Sequence, residues 1–355
     1  MAKAPTIVDI AGNLGVSPIS VSRALSNPGR VSASLRAKVI TEARRVGYSP
    51  NTAARALRTN ASFLLGLIVP SFFSYQIDEL VTHIQDYAQL HDHGVILGLT
   101  QWDPETELKQ LEFMRNKNVD GIIIKSQGAP KVVKKLQELI DNNIKVVCLL
   151  DRYKCQASSV MVNNIHGGAI AGRYLVENGH KKICYITYNQ AKSSSYSMTH
   201  FSNERYKGMR NELKIHDTYI DEDSVIYIDA QPCRPFSEEN FEVILDKIQD
   251  YTAIFAYDDY LAAGILKILQ QNNYRVPEDL SIIGFDDSPA VSHWSSPPIT
   301  VIKQPDRLVA FEAVNLLLGD AEDSNAICTR NNYIVEPELV IRKSVLDISK
   351  MDDKN

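Results

Sequence analysis

The sequence is poor in cysteine and has no long apolar run. Its five cysteines, Cys148, Cys155, Cys184, Cys233 and Cys328, are scattered, odd in number and free of any Cys-x-x-Cys pair. This spacing argues against a disulfide framework, so we expect reduced, mostly structural thiols. No stretch approaches the roughly 18 apolar residues of a membrane span, and no apolar run follows the first charged residues. The sequence therefore predicts a cytoplasmic protein with no membrane partner.

Signatures of catalysis are also missing. The eight histidines show no metal-ligand spacing, and the chain has neither a Gly-x-Ser-x-Gly motif nor a phosphate-binding loop. The segment Ile165-His166-Gly167-Gly168 lacks the strand and phosphate turn of a nucleotide fingerprint. We therefore predict no enzyme activity, no cofactor and no metal site. A solute-binding protein or an enzyme is the alternative from another class.

Acidic residues are scarce in the first sixty positions. Nine Lys and Arg residues stand there against Asp9 and Glu42, a formal charge of +7, which leaves −12 on the rest of a chain whose total is −5. A small cationic unit joined to a large anionic body is typical of a nucleic-acid-binding module attached to a separate domain. With 355 residues and 44% hydrophobic content, the chain is long enough for two or three domains.

Three short helices are predicted in the basic segment. Thr6 can cap the first, and Ser17 can cap a second that begins at Pro18. Ser32 can cap a third, which Gly47 ends. The second helix buries one face and leaves its amino-terminal residues outward, which is the pattern of a helix-turn-helix module.

From Phe63 onward, short apolar runs alternate with longer periodic segments. The predicted strands begin with Leu64 to Val69, and the last clear one is Ser281 to Phe285, with helices between them. Alternation of this length implies parallel sheets covered on both faces, and its repetition implies two doubly wound units. A ligand is expected in the cleft between them, outside the carboxyl ends of the strands.

Several short motifs of the basic segment resemble one known family. They are Thr6-Ile7-Val8-Asp9-Ile10-Ala11, Gly15-Val16-Ser17, Val21-Ser22-Arg23-Ala24-Leu25, Val31-Ser32, Gly47-Tyr48-Ser49-Pro50-Asn51 and Ala54-Arg55-Ala56-Leu57. In this spacing they closely resemble the lactose-repressor and galactose-repressor family of bacterial transcription regulators, and a weaker similarity extends to about residue 345. Two departures are Gly12-Asn13-Leu14, where the family favours a helix-forming triplet, and Ser20 in place of Thr. Gly12 costs the first helix up to about 1 kcal/mol.

The resemblance implies an all-α helix-turn-helix headpiece and an α/β core of two doubly wound parallel-sheet lobes, similar to a periplasmic binding protein. We expect the headpiece at 1–50, a hinge helix and linker at 51–62, the core at 63–345 and a tail at 346–355. The chain should cross between the lobes three times, near Val162, Ser292 and Ala326. The first lobe would hold 63–162 and 293–326, and the second 163–292 and 327–345.

The expected DNA contacts fall into three groups. Pro18, Ile19 and Arg23 should contact bases in the major groove. Phosphate contacts are expected from a second group, Thr6, Ser17, Ser22, Ser32 and Tyr48. The hinge adds Asn51, Ala54 and Leu57. The partner implied is a near-palindromic DNA operator bound by a homodimer, because one helix-turn-helix recognises only a half-site.

The hinge from Asn51 to Arg58 is predicted to be a switch. Eight residues are too few for a stable isolated helix. We expect the two copies to become helical only on DNA, where both Leu57 side chains insert into the minor groove. Ligand-driven movement of the lobes would melt them. The tail from Ser344 lacks a leucine heptad and so offers no coiled-coil route to a tetramer.

The expected effector is a sugar or sugar derivative, and the predicted function is repression of carbohydrate-utilisation genes. Polar or aromatic residues follow the predicted strands, among them Phe73, Asp151, Asp258 and Asp286. By position, the resemblance adds Arg205 as the effector-clamping arginine and Phe236 as an aromatic wall. Asp259 could instead cap the next helix. Asp287 could organise a turn.

Asp258 occupies a position that is usually Asn in the family. An ionised carboxylate cannot donate a hydrogen bond, so the identity of the effector stays open at this stage. A nucleobase or a protein coregulator is the rival signal. Whether the effector releases the protein from DNA or holds it there is equally open, because both outcomes use the same two lobes.

Overall fold

The computed structural model describes residues 5–26, 31–48, 61–72, 75–189, 196–229, 238–319 and 332–349. They belong to two compact units, one within residues 1–62 and the other within 63–355. None of the described helices combines the length and apolarity that crossing a bilayer requires.

The first unit is a bundle of three helices, α1 (Ile7–Leu14), α2 (Pro18–Ser26) and α3 (Ala33–Val46). Thr6 caps α1 in a reciprocal capping box with Asp9. The Ser17 hydroxyl accepts from Ser20 N at 3.1 Å, and Ser32 accepts from Leu35 N at 3.2 Å. The predicted caps are therefore confirmed. The buried core is small and drawn from all three helices: Ile10, Ala11, Val21, Ala24, Val39 and Ala43.

The second unit alternates strands and helices, as predicted. It begins with β1 (Leu64–Val69), α4 (Tyr75–Leu90), β2 (Gly94–Leu99), α5 (Pro104–Asn116), β3 (Gly121–Ile124), α6 (Pro130–Asp141), β4 (Lys145–Leu149) and β5 (Ser158–Val162). It continues with α7 (Asn164–Glu177), β6 (Ile183–Tyr188), α8 (Tyr196–Ile215), β7 (Val225–Ile228), α9 (Glu238–Lys247), β8 (Ala253–Ala256), α10 (Asp259–Gln271) and β9 (Ser281–Asp286). The last elements are β10 (Thr300–Lys303), α11 (Asp306–Leu318), β11 (Asn332–Val335) and β12 (Glu338–Val340).

The described strands form two six-stranded sheets, one in each lobe. Their orders are β11-β5-β4-β3-β1-β2 and β12-β10-β9-β8-β6-β7. The strand pairs are parallel except β10 with β12. Apolar runs such as β1 are buried along almost their whole length, because helices cover both faces of a parallel sheet.

The expected crossings between the lobes need correction. The crossing near Ser292 was placed too early, because β10 still pairs with β9 in the second sheet. The chain passes to the first lobe only after Lys303, and α11 then packs against α4. The crossing near Ala326 was also too early, because β11 pairs with β5 in the first sheet and only β12 returns to the second.

The predicted end of the second lobe at residue 345 is wrong as well. Leu346 N donates to Ser281 Oγ at 2.9 Å, and Ile348 N donates to Asn178 O at 2.9 Å. The chain is therefore still bonded to the second lobe at Ile348. Local sequence patterns could not show this, because the partners lie far away along the chain.

Candidate effector site and DNA-binding surface

The carboxyl ends of the central strands carry the polar side chains of the cleft. In the second lobe, Asp258 lies just past β8 and Asp286 ends β9, which is its neighbour in the sheet. In the first lobe, Lys125 follows β3 and Asp151 follows the adjacent β4. Because these strands are parallel, their ends face the crevice where α/β sheets bind ligands.

Arg205, on α8, is the centre of the cluster in the second lobe and is only 3% exposed. Its Nε donates to Asn164 Oδ1 at 2.9 Å, and its Nη1 donates to the carbonyl of Tyr257. Nη2 lies 3.6 Å from Asp286 Oδ1. The guanidinium carbon stands 3.5 Å from the centre of the Phe285 ring. The structure thus holds Arg205 in one orientation beside Asp286, as a ligand-binding arginine requires.

Three glycines place α8 against α7. A Cβ on Gly208 would lie 1.9 Å from Ile165 O, and one on Gly168 would lie 1.9 Å from Arg205 O. A Cβ on Gly172 would meet Met209 O at 3.1 Å. The backbones of the two helices can approach this closely only because these side chains are absent. This contact brings Arg205 within reach of Asn164 at the start of α7.

Asp258 is 5% exposed and caps α10. Its Oδ1 accepts from Leu261 N at 2.7 Å and from the Tyr188 hydroxyl at 3.2 Å. Burial, followed by repulsion from Asp286, raises the pKa of Asp258 to about 7. The expectation that Asp259 caps this helix was therefore wrong, since the cap is its neighbour. Asp259 instead accepts from Ser288 N at 2.5 Å and from the Ser288 hydroxyl at 3.2 Å.

Asp286 and Asp287 both have left-handed backbones, with φ of 93° and 76°. Non-glycine residues rarely adopt this conformation, and such strain clusters at functional sites. Burial raises the pKa of Asp286, while Arg205 and Gln304 oppose that rise. Asp287 forms an ion pair with Arg342 at 2.6 Å and accepts from the Ser292 hydroxyl at 2.9 Å. It thus anchors the turn that follows β9, whereas Asp286 faces Arg205.

On the first-lobe side, Asp151 and Lys125 lie 4.0 Å apart and are both buried. Burial lowers the pKa of Lys125. Its Nζ stands 4.6 Å from the centre of the Phe201 ring, which belongs to α8 of the other lobe. Phe201 packs against the apolar cores of both lobes. Lys125 and Phe201 therefore connect the lobes at the cleft.

A cavity of about 720 Å³ opens between the lobes beside this cluster. Its lining includes Tyr75 and Phe311 of the first lobe together with Asp286 and Gln304, but neither Arg205 nor Asp258. Gln304 Nε2 donates to Asp286 Oδ1 at 2.5 Å, and Gln304 lies where the chain crosses between the lobes. Asp286 therefore belongs both to the wall of the cavity and to the Arg205 cluster, and Gln304 joins it to a crossing segment.

Sequence reasoning missed Lys125, Asn164, Phe201 and Gln304. Lys125 directly follows β3, so the rule that selected the other strand-end residues would also have selected it. The other three meet the site through long-range contacts that no local pattern shows. The predicted Phe73 and Phe236 lie outside the described residues.

The three-helix unit presents the residues expected to bind DNA. Ser17, Pro18, Ile19, Arg23 and Ser32 are exposed, and Ile19 has 62% of its surface accessible although it is a large apolar side chain. Thr6, Ser22 and Tyr48 are half-buried. The hinge positions Asn51, Ala54 and Leu57 lie outside the described residues. An outward amino-terminal end of the second helix is what insertion into a major groove requires.

A helix-turn-helix unit joined to a two-lobed α/β core defines a DNA-binding regulator with a ligand-binding domain. Comparison with known families agrees, since residues 6–51 match "Bacterial regulatory proteins, lacI family" and residues 173–345 match "Periplasmic binding protein-like domain". The chain therefore combines a helix-turn-helix domain of the lacI family with a periplasmic-binding-protein-like domain. The first of these domains makes the chain a DNA-binding transcription regulator. The relatives that match along nearly its whole length are named transcriptional repressors and not enzymes.

Relatives are similar along their whole length. The HTH-type transcriptional repressor PurR of Vibrio vulnificus is 28% identical, with 97% of this chain and 99% of the relative covered. PurR of Actinobacillus pleuropneumoniae is 29% identical with the same coverage. Among solved structures, the lac repressor dimer bound to operator and the anti-inducer ONPF has a TM-score of 0.76 at 24% identity, covering 97% and 100% of the chains. The CelR-cellobiose complex has a TM-score of 0.67 at 24% identity, covering 96% and 99%.

Proposed function

We propose that the effector of this repressor is a small sugar or sugar derivative, bound between the lobes against Arg205, Asp258 and Asp286, and that the regulated genes serve carbohydrate use. The observation that carries the proposal is the buried Arg205 guanidinium, which stacks on Phe285 and lies 3.6 Å from the Asp286 carboxylate. Guanidinium and carboxylate groups each form paired hydrogen bonds to neighbouring hydroxyls. Aromatic rings cover the apolar side of a sugar.

Solved structures of regulators with the same fold support a sugar as the effector. One neighbour was solved with cellobiose, one from Alkaliphilus metalliredigens with D-xylulofuranose and one from Enterococcus faecium with ribose. The rival is a nucleobase, which the full-length relatives named PurR favour. A protein coregulator is the third possibility.

Calorimetric titration of the purified chain against sugars, sugar acids and nucleobases tests the proposal. We expect one sugar to bind and to change operator affinity. Binding of nucleobases alone would replace the proposal with its rival. If no compound of the panel bound or changed operator affinity, the sugar proposal would fail and a protein coregulator would be the remaining signal.

On the DNA side, we propose that Pro18, Ile19 and Arg23 contact base edges. The phosphate contacts are assigned to Thr6, Ser17, Ser22, Ser32 and Tyr48. The Thr6 hydroxyl donates to Asp9 Oδ2 at 2.7 Å. A phosphate contact at Thr6 therefore has to replace this bond, or else it has to fit the backbone conformation that the bond stabilises. The hinge contacts of Asn51, Ala54 and Leu57 remain predictions.

Arg23→Ala is expected to weaken operator binding by about 1 to 3 kcal/mol and to relax preference at one base pair. Arg23 is exposed on α2, where its guanidinium can form a bidentate contact with guanine. Affinity measured across single-base operator variants checks this. The matched control is Arg36→Ala, an exposed arginine of α3, which should weaken all variants equally if it weakens any. The same uniform loss for Arg23→Ala would assign Arg23 to a phosphate.

We also propose that the repressor is a homodimer. Strand β2 is an edge of the first sheet and exposes Leu97 and Leu99, at 39% and 37%, with Trp102 exposed just beyond it. An exposed apolar patch at a sheet edge is a common site of contact with another chain. Sedimentation velocity should give a dimer, and a monomer at micromolar concentration would refute this assignment.

A further inference from the structure

The two carboxylate oxygens of Asp258 differ in their hydrogen bonds. Oδ1 accepts both from Leu261 N, the cap of α10, and from the Tyr188 hydroxyl. Among the described residues, no hydrogen-bond donor is assigned to Oδ2. Two hydrogen bonds therefore fix the orientation of the group, and any proton that it carries belongs on Oδ2.

The surroundings of Asp258 contain more negative than positive groups. Asp259 lies beside it on α10, Asp286 lies on neighbouring β9, and Arg205 on α8 is the cation whose charge acts on it. From β6, the Tyr188 hydroxyl donates to Asp258. Two further buried tyrosines, Tyr185 of β6 and Tyr257, are titratable groups on which the charge of Asp258 acts. Burial raises the pKa of Asp258 to about 7, and burial also raises the pKa values of Asp259 and Asp286. Two buried carboxyls and the partly buried Asp286, with one guanidinium among them, cannot all stay ionised at low cost.

We propose that Asp258 meets the effector as a neutral carboxylic acid and donates a hydrogen bond from Oδ2 to an acceptor atom of an uncharged part of the effector. The inference rests on the proposed function and deepens it. It also specifies the effector chemistry, because the atom facing Asp258 must be a hydroxyl, ring or carbonyl oxygen or an unprotonated ring nitrogen. An ammonium group or another N–H donor at that place would instead favour the ionised form.

The expected consequence is that effector binding takes up a proton. At pH 6 most Asp258 is protonated and affinity is high, whereas at pH 8 most is ionised in the free protein and must be protonated before it can donate. For a pKa near 7, the dissociation constant should rise about tenfold between pH 6 and pH 8. Titration calorimetry of the full chain with D-ribose, cellobiose or another sugar found to bind measures this. Buffers of different ionisation enthalpy report the proton taken up.

Asp258→Asn is the decisive variant, because asparagine also caps helices and donates at every pH. Its affinity should stay within a few-fold of the pH 6 value at both pH values. Asp279→Asn, which alters an exposed pair with Arg275, is the control and should keep the tenfold dependence. A flat profile in the unaltered protein, or an unchanged slope in Asp258→Asn, would overturn the inference.

A second measurement separates this inference from the proposed function. Infrared spectra of the ligand-free chain should show the carbonyl band of a protonated carboxylic acid that titrates near pH 7, and Asp258→Asn should lack it. If no sugar binds but this band is present, the sugar proposal fails while the neutral acid stands. If a sugar binds and the band is absent, the neutral acid is wrong and the sugar proposal stands.

Discussion

Replacing Arg205 with lysine is expected to raise the dissociation constant of the effector by roughly 10 to 100-fold, and Arg205→Ala should abolish the ligand response. Lysine keeps the charge but loses the planar fork that bonds Asn164 Oδ1 and the Tyr257 carbonyl and stacks on Phe285. A hydrogen bond to a charged group contributes about 1.5 to 3 kcal/mol. At about 1.4 kcal/mol for each tenfold change in the dissociation constant, its loss corresponds to roughly 10 to 100-fold weaker binding. Operator binding in the state that needs no ligand should not change, because the helix-turn-helix belongs to a separate compact unit.

Effector titration and operator binding, measured on the same samples, check this expectation. Thermal denaturation shows whether the variants are folded. The matched control is Arg210→Lys, since Arg210 lies on the same helix, is exposed and contacts only the Tyr206 ring at 5.6 Å among the described aromatic rings. A normal dose response in Arg205→Ala would remove Arg205 from the site and leave the cavity beyond Asp286 as the place to search for the effector.

The sequence predicted the elements of the fold where a single pattern is decisive. The run Leu64 to Val69 is buried on both faces, and its predicted bounds match β1. Strand β5 was missed because Ser158-Ser159 gives it a mixed pattern after an irregular segment. The residues of β10 were assigned to the first lobe with the rest of 293–326, because no local pattern shows which sheet accepts a strand. Pairing with β9 is a long-range property.

In the candidate site, too, local patterns predicted some residues, whereas others depend on the fold. Asp286 and Arg205 were both predicted, and the structure brings them to 3.6 Å. The distinction between the neighbouring acids Asp258 and Asp259 could not be made from sequence. It depends on the extended backbone of Asp258, with φ of −138° and ψ of 174°, which turns its carboxylate toward the free amides of α10. The protonation of that carboxylate depends in turn on burial, which only the fold determines.

The glycines at the α7 and α8 contact explain how a small sequence feature fixes the site. Neither Gly168 nor Gly208 has a left-handed backbone, so conformational freedom does not account for them. What they provide is space, because a Cβ on either would lie 1.9 Å from a carbonyl oxygen of the facing helix. The position of Arg205 therefore depends on the absence of side chains one helical turn away.

Gly208→Ala is expected to destabilise the core by at least about 1 to 3 kcal/mol, because the added methyl meets backbone atoms that cannot rotate away. In a domain of this size the thermal midpoint should fall by about 2 to 4 °C for each kcal/mol. Separation of α8 from α7 should also weaken the bond from Arg205 to Asn164 and so lower effector affinity.

Gly172→Ala, whose Cβ would sit 3.1 Å from Met209 O, should lower the thermal midpoint and the effector affinity by less. Gly12→Ala should raise the stability of the helix-turn-helix unit by up to about 1 kcal/mol, since nothing lies within 4 Å of the new methyl. Calorimetric unfolding tests the order of stabilities, and effector titration tests the effect on Arg205. Equal effector affinities for Gly208→Ala and Gly172→Ala would show that the close approach of the helices does not control the position of Arg205.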